Sequence, residues 1–266
     1  MKIGVIQLQS VLDPAVNLGK IKNFLSEAKK ENAVAVFLPE AFYSMSDGTR
    51  PTPYLVDADN EHYKAIQSLA TDSGLYILGG SAATNKDGKV MNRSYNFDPK
   101  GNDIAFYDKM NLFACDLSKD ASKQIIDEKK VYTQGNKPQM IEVEGYQIGL
   151  SICFDLRFPE LFRSYSSQGA NVLSISSAFT VPTGKAHWHT LIRARAIENQ
   201  SYVVASAQWG KHNEKLSTFG HSLVVDPWGE ILVDAGEGEK IVFAEFSLDR
   251  LGSVRERLDV IRNPKN

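Results

Sequence analysis

Cysteine is scarce in this chain: there are two among 266 residues, Cys115 and Cys153. So few, so far apart, exclude a disulfide framework and fit a reducing cytoplasm. An excess of charge of one sign is missing too. The 30 basic and 32 acidic residues leave a net charge of −2, which excludes a broad basic surface for nucleic acid. No apolar run approaches the ~20 residues that span a bilayer, so no membrane partner is expected. The opening Met1-Lys2-Ile3-Gly4-Val5-Ile6-Gln7-Leu8 is interrupted by Gln7 too soon to read as a signal peptide. Linkers, low-complexity tracts and internal repeats are absent as well, so a single domain over 1–266 is expected. What is present is ordinary for a globular protein with a substantial core: 42% hydrophobic and 23% charged residues.

Apolar periodicity alternates between strand and helix. It predicts strands at 3–8, 34–38, 76–79, 90–96, 104–108, 139–143, 148–152, 172–176, 202–207, 220–225 and 241–245. Helices fit 14–30, 60–72, 159–168, 185–199 and 248–257. Strand–helix–strand segments imply parallel neighbours, and strands joined by short turns imply antiparallel ones. An α/β fold with mixed sheets accommodates both. The segment from Asn111 to Lys137 is rich in charge and has no periodicity, and a loop of that length is often functional.

Three polar residues stand at the carboxyl ends of predicted strands, the edge where α/β proteins gather their sites. Glu40 follows Val34-Ala35-Val36-Phe37-Leu38-Pro39, Lys109 follows Ile104-Ala105-Phe106-Tyr107-Asp108, and Cys153 follows Ile148-Gly149-Leu150-Ser151-Ile152. Together they compose an acyl-transfer site. A thiol of pKa ~8.5 needs activation, and a carboxylate within reach can accept its proton. That carboxylate alone would raise the thiol pKa. A lysine ~4 Å away at an effective dielectric of ~20 offsets it by up to ~4 kcal/mol. The same ammonium can stabilise the oxyanion.

Phe37-Leu38-Pro39-Glu40, Tyr107-Asp108-Lys109-Met110-Asn111-Leu112-Phe113 and Cys153-Phe154-Asp155-Leu156-Arg157-Phe158-Pro159-Glu160 resemble the three signature blocks of the nitrilase superfamily of carbon–nitrogen hydrolases. The resemblance continues through Gly184-Lys185-Ala186-His187-Trp188 and Arg193-Ala194-Arg195-Ala196-Ile197-Glu198-Asn199 and covers nearly the whole chain. It implies a four-layer α-β-β-α sandwich, a homodimer, and an amidase that works through a cysteine thioester without a metal or other cofactor. The implied triad is Glu40, Lys109 and Cys153. A second glutamate of the family falls at Glu128, which would position substrate and water, with Asp127 as the competing assignment. The Asp-Leu-Arg-Phe-Pro-Glu run is similar to the branch that hydrolyses monoamides of small dicarboxylic acids, the ω-amidases and deaminated glutathione amidases. By that resemblance Arg157 would bind a substrate carboxylate, and Phe154, Phe179, Thr180 and Thr183 would line the pocket. The expected partners are therefore a small amide (of the deaminated glutathione or α-ketoglutaramate type) and water. The branch usually has His two residues after the lysine and Tyr after the cysteine, where this chain has Asn111 and Phe154.

Other readings bear on the same residues. Arg157 could instead pair with Glu160 or another acid, and Arg193 and Arg195 would serve helix surface and dimer contacts. Leu161 and Phe162, on the helix after Cys153, offer apolar positions for that dimer. Cys115 follows no catalytic pattern. His187 and His189 are two apart on a helix, so they face different ways and do not make a metal site by themselves. A Cys-His-Glu amidotransferase would need glycines around its cysteine elbow, where Ile152 and Phe154 stand. A papain-like protease would need a different sequence there. An N-carbamoyl or aliphatic amidase, or a silent scaffold of the same fold, stays open at this point.

Overall fold

A computed structural model of the protein describes residues 1–117 and 124–258. Two sheets stack face to face between two pairs of helices. The first runs in the order Lys240–Glu245, Lys2–Gln7, Ala35–Phe37, Tyr76–Leu78. The second runs Ile231–Asp234, Leu223–Val225, Tyr202–Ala207, Val172–Ser177, Tyr146–Ile152, Met140–Val143. Helices α1 (Pro14–Lys30) and α2 (Glu61–Ser73) cover the first sheet. Helices α3 (Pro159–Ser167) and α4 (Val181–Asn199) cover the second, and α5 (Leu248–Arg257) follows the last strand. This is the four-layer α-β-β-α sandwich.

The layers follow from the two-residue period of the strands. Ile3, Val5, Ala35 and Phe37 point between the sheets. Ile6, Val36 and Leu38 point the other way, onto Ile21 and Leu25 of α1 and Ile66 and Leu69 of α2. Every strand–helix–strand unit pairs in parallel, Lys2–Gln7 with Ala35–Phe37 and Val172–Ser177 with Tyr202–Ala207 among them. On the outer face of the second sheet, Gly149 lets Tyr165 of α3 lie close. A β-carbon at that position would fall 2.5 Å from the ring, and the Tyr165 hydroxyl donates to the Leu150 carbonyl at 2.7 Å.

Several boundaries differ from the sequence expectation, for identifiable reasons. The strand expected at 220–225 begins at Leu223, because Gly220 and His221 are left-handed (φ 79° and 57°) and break the ladder. Only Tyr107–Asp108 of 104–108 is paired. Helix α4 starts four residues early, at Val181, with Thr180 as N-cap and Pro182 in its first turn. Ile231–Asp234, an edge strand with one open face, was not expected, nor were Ser81–Lys86, Trp209–Lys211 and Ser217–Phe219. The segment without periodicity contains an antiparallel pair, Ala114–Leu117 with Gln124–Asp127, and residues 118–123 lie outside the described residues.

Three side chains are not where the sequence suggested. Arg195 is buried rather than on the helix surface, and its guanidinium donates to the Leu156 carbonyl and to Glu198. Leu161 and Phe162 are also buried, in the chain's own core, so they are unavailable to a dimer contact. Exposed apolar side chains include Ile197 of α4, Trp228, Ile231 and Leu232, and also Leu12, Val16, Leu248 and Leu258, each more than 40% exposed. Among the described residues, no helix is long and apolar enough to cross a membrane.

Candidate active site

Cys153 follows the strand Tyr146–Ile152 and opens a short 3-10 turn, Cys153–Arg157. Its φ is +51°, an uncommon conformation for a residue with a β-carbon. A tight elbow is therefore made without flanking glycines, contrary to the sequence argument. The turn is held by Asp155, whose buried carboxylate accepts from Ile152 N (2.9 Å), the Tyr107 hydroxyl (2.7 Å), Asn111 N (2.8 Å) and Asn111 Nδ2 (2.9 Å). Asp155 thus ties the cysteine turn to the segment that carries Lys109. Burial raises its pKa, against the pull of those donors.

Lys109 is entirely buried and reaches two carboxylates. Its Nζ is 2.8 Å from Glu40 Oε1 and 2.8 Å from Glu128 Oε2. Burial alone would lower the ammonium pKa, but Glu128 and then Glu40 overcome it and hold it well above the ordinary lysine value. Glu40 Oε1 also accepts from Asn92 Nδ2 at 2.8 Å, and Glu128 Oε2 accepts from Phe113 N at 2.8 Å. The choice between Asp127 and Glu128 resolves as geometry: Glu128 meets Lys109, while Asp127 caps a turn by accepting from Lys129 N. The chain after Glu128 passes directly over Lys109, whose carbonyl accepts from Gly135 N at 2.8 Å. Only glycine fits there, since a β-carbon would sit 2.1 Å from the Asp108 carbonyl oxygen.

The electrostatic balance differs from the one-lysine, one-glutamate sum. Counted as ionised, two carboxylates and one ammonium leave an excess negative charge, and burial raises the Glu128 pKa against the pull of Lys109. Burial, then Glu40, push the Cys153 thiol well above its ordinary pKa. Glu128 adds to the rise, while Lys109 and the N–H of Ala178 pull against it.

Cys153, Glu40 and Glu128 line one cavity of about 440 Å³, together with Phe154, Arg157, Phe179, Thr180 and Thr183. Lys109 lies beneath its floor. The Arg157 guanidinium sits over the rings of Phe154 (5.7 Å) and Phe179 (5.3 Å) and contacts His187 Nδ1 at 3.3 Å, rather than Glu160. The Thr180 and Thr183 hydroxyls are hydrogen-bonded to each other at 2.8 Å. Asp47 and Lys215 also line the cavity, joined by an ion pair of 2.8 Å. Of the two departures from the expected motifs, Phe154 faces the cavity, whereas Asn111 is committed to Asp155. Sequence reading missed Asn92 and Asp155. A polar residue inside a strand pattern reads as its solvent face, and an acid in a turn reads as solvated.

The carbon–nitrogen hydrolase family profile matches residues 2–256. The deaminated glutathione amidase of Synechocystis sp. is 35% identical over 262 residues, which cover 97% of this chain and 96% of that protein. Omega-amidase NIT2 of Homo sapiens is 32% identical over 265 residues, covering 100% and 95% respectively. The crystal structure of the C. elegans NitFhit protein superposes with a TM-score of 0.87 at 34% identity. That match covers 99% of this chain, which spans 65% of the longer NitFhit chain.

The charge balance predicts the thiol's titration. Thiolate absorbance, read against a Cys153→Ser blank, should rise with a midpoint above the ~8.5 of a free cysteine. In Glu40→Gln the midpoint should move down, because the largest charge that raises it is gone. A wild-type midpoint at or below 8.5 would contradict the excess negative charge.

Proposed function

We propose that this chain, which belongs to the carbon–nitrogen hydrolase family, hydrolyses the terminal amide of a small carboxylate-bearing acid through a thioester on Cys153. One observation carries the reading. A single cavity pairs a thiol, backed by Glu40, Lys109 and Glu128, with a guanidinium held over two aromatic rings.

In this mechanism Cys153 Sγ attacks the amide carbon as its proton passes to Glu40. Burial and the neighbouring carboxylates oppose a free thiolate, so proton transfer accompanies attack. Glu40 Oε1 is taken by Lys109 and Asn92, which leaves Oε2 for the proton. The carbonyl electron pair moves onto oxygen, where the third N–H of Lys109, the one not given to Glu40 or Glu128, stabilises it. Collapse breaks the C–N bond, Glu40 returns the proton to nitrogen, and ammonia leaves. Water then adds to the thioester as Glu40 takes its proton, and the second collapse releases the acid and restores the thiol. Glu128 positions substrate and water from its anchors on Lys109 and Phe113 N.

The substrate reading rests on Arg157. A planar guanidinium grips a carboxylate bidentately with charge-assisted bonds, and its rings here hold it in place. Deaminated glutathione and α-ketoglutaramate both carry a carboxylate at a distance from an amide. Both cysteines are free, which suits the reducing cytoplasm as working compartment. The exposed Ile197, Trp228, Ile231 and Leu232 support a homodimer, with Ile197 packed beside the turn at Gly229.

Intact-protein mass spectrometry during turnover should find one acyl adduct on Cys153, and Cys153→Ala should abolish hydrolysis while Cys115→Ala leaves it. Glu40→Gln and Lys109→Met should lower kcat by about 10²–10⁴-fold and about 10²–10³-fold or more, respectively. An adduct on Cys115 would sink the assignment. Arg157→Ala should cost about 10–100-fold in kcat/KM, the worth of a hydrogen bond to a charged group. That loss should be confined to acidic substrates and spare a neutral amide of equal length. A neutral amide as best substrate, with a silent Arg157→Ala, would point to an aliphatic amidase instead. Light scattering at micromolar concentration should give twice the chain mass, and a result near 29.5 kDa would contradict the dimer.

A further inference from the structure

Outside the cavity, three side chains that amide hydrolysis does not use converge on the flank of the second sheet. His189 projects from the third turn of α4, His221 precedes the strand Leu223–Val225, and Asp234 ends the strand Ile231–Asp234. His189 Nε2 lies 2.9 Å from Asp234 Oδ2, and His221 Nδ1 lies 3.0 Å from Oδ1. One donor atom from each residue falls within 4.8 Å of the other two. The spacing of His187 and His189 gave no hint of this, because the other two members come from distant parts of the chain. His187 itself turns toward Arg157.

The three are held by contacts of their own. His221 is left-handed at φ +57°, a kind of strain that gathers at functional sites. Its N–H donates to the Gly236 carbonyl at 3.0 Å, and its carbonyl accepts from the Trp188 indole at 2.7 Å. Its ring stacks on Phe219 at 4.4 Å. Asp234 Oδ1 accepts from Gly236 N at 2.8 Å, which orients the carboxylate. A hydrogen-bonded brace would account for the two N–O contacts. It leaves unexplained why two imidazole nitrogens and one carboxylate are aimed at a common point and anchored from behind.

A tetrahedral zinc site with bonds of about 2.0–2.1 Å has ligand atoms about 3.3 Å apart; Asp234 Oδ2 lies 2.9 Å from His189 Nε2 and 3.2 Å from His221 Nδ1, and the two nitrogens are within 4.8 Å of each other. The side chains remain between a quarter and about a third exposed (36%, 25% and 28%), which leaves room for water as fourth ligand. We propose that His189 Nε2, His221 Nδ1 and one oxygen of Asp234 bind a divalent transition-metal ion of the zinc class. Binding requires both imidazoles neutral, with their protons on His189 Nδ1 and His221 Nε2. The ion would fasten α4 to the edge of the second sheet, away from the thiol, and its role would be structural.

The test is a cobalt(II) titration of dialysed protein followed by visible absorption. Wild type and Cys153→Ser should each take up one equivalent, with nitrogen–oxygen ligand-field bands and no sulfur-to-metal charge transfer, and zinc should displace it. His189→Gln keeps a donor to Asp234 but removes the imidazole. It should fold as wild type by circular dichroism and bind cobalt at least about tenfold more weakly, since loss of even an outer-shell partner costs about 10–100-fold. Asp234→Asn should do the same. Zinc should raise the unfolding temperature of Cys153→Ser and leave that of the double variant with His189→Gln unchanged. The proposal is overturned if Cys153→Ser binds no cobalt at micromolar concentration. It is equally overturned if His189→Gln binds as tightly as wild type.

Discussion

A lysine ammonium with no exposure to water is the constraint around which this site is built. Taking such a charge out of solvent costs several kcal/mol even after relaxation, and Lys109 survives only because Glu40 and Glu128 face it together. Each carboxylate then needs its own fixing. Asn92 supplies it for Glu40, and the Phe113 N–H supplies it for Glu128. The charged segment without periodicity has its explanation here. Its antiparallel pair returns the chain so that Glu128 N can bond the Phe113 carbonyl and the side chain can reach the lysine. The surplus negative charge is the consequence of this arrangement. It holds the Cys153 thiol pKa up, with burial the larger cause.

The sandwich holds these groups from separate directions. Glu40 follows an inner strand of the first sheet, Cys153 an inner strand of the second, and Lys109 a strand of the small sheet beside them. Asp155 joins the second sheet to the segment that carries Lys109, through Tyr107, Asn111 and the Ile152 amide. Between the sheets, the Ser206 hydroxyl donates to the Ile6 carbonyl of the opposite layer. The two sheets are thereby tied at the carboxyl ends of their strands, where Ser206 is level with Ile152 and the chemistry is supplied.

Much of this was legible in the residues. Strand-end placement of Glu40, Lys109 and Cys153 needed only local apolar runs, and the parallel pairings needed only the helices between strands. What escaped depended on tertiary context. Arg195 reads as helix surface because no local pattern reveals the Leu156 carbonyl waiting for it. Leu161 and Phe162 read as free apolar positions because a helix sequence does not say which side its sheet lies on. Asn92 and Asp155 are polar residues whose partners arrive from 52 and 48 residues away, Glu40 and Tyr107 respectively. The left-handed turn at Cys153 carries no glycine to announce it.

The first strand of the first sheet has its outer neighbour in the last strand, Lys240–Glu245, and the Met1 amine bonds the Phe246 carbonyl 245 residues away. A chain emerging from the ribosome in order therefore makes Lys2–Gln7 long before the partner that shields its outer edge exists. Until then that strand offers an unpaired, apolar ladder of the sort that recruits other chains. Pairings so distant in sequence also slow folding, since the loop must close before the contact is gained. For this protein the vulnerable interval in the cell is synthesis itself. Its length is set by the time translation takes to reach the final strand.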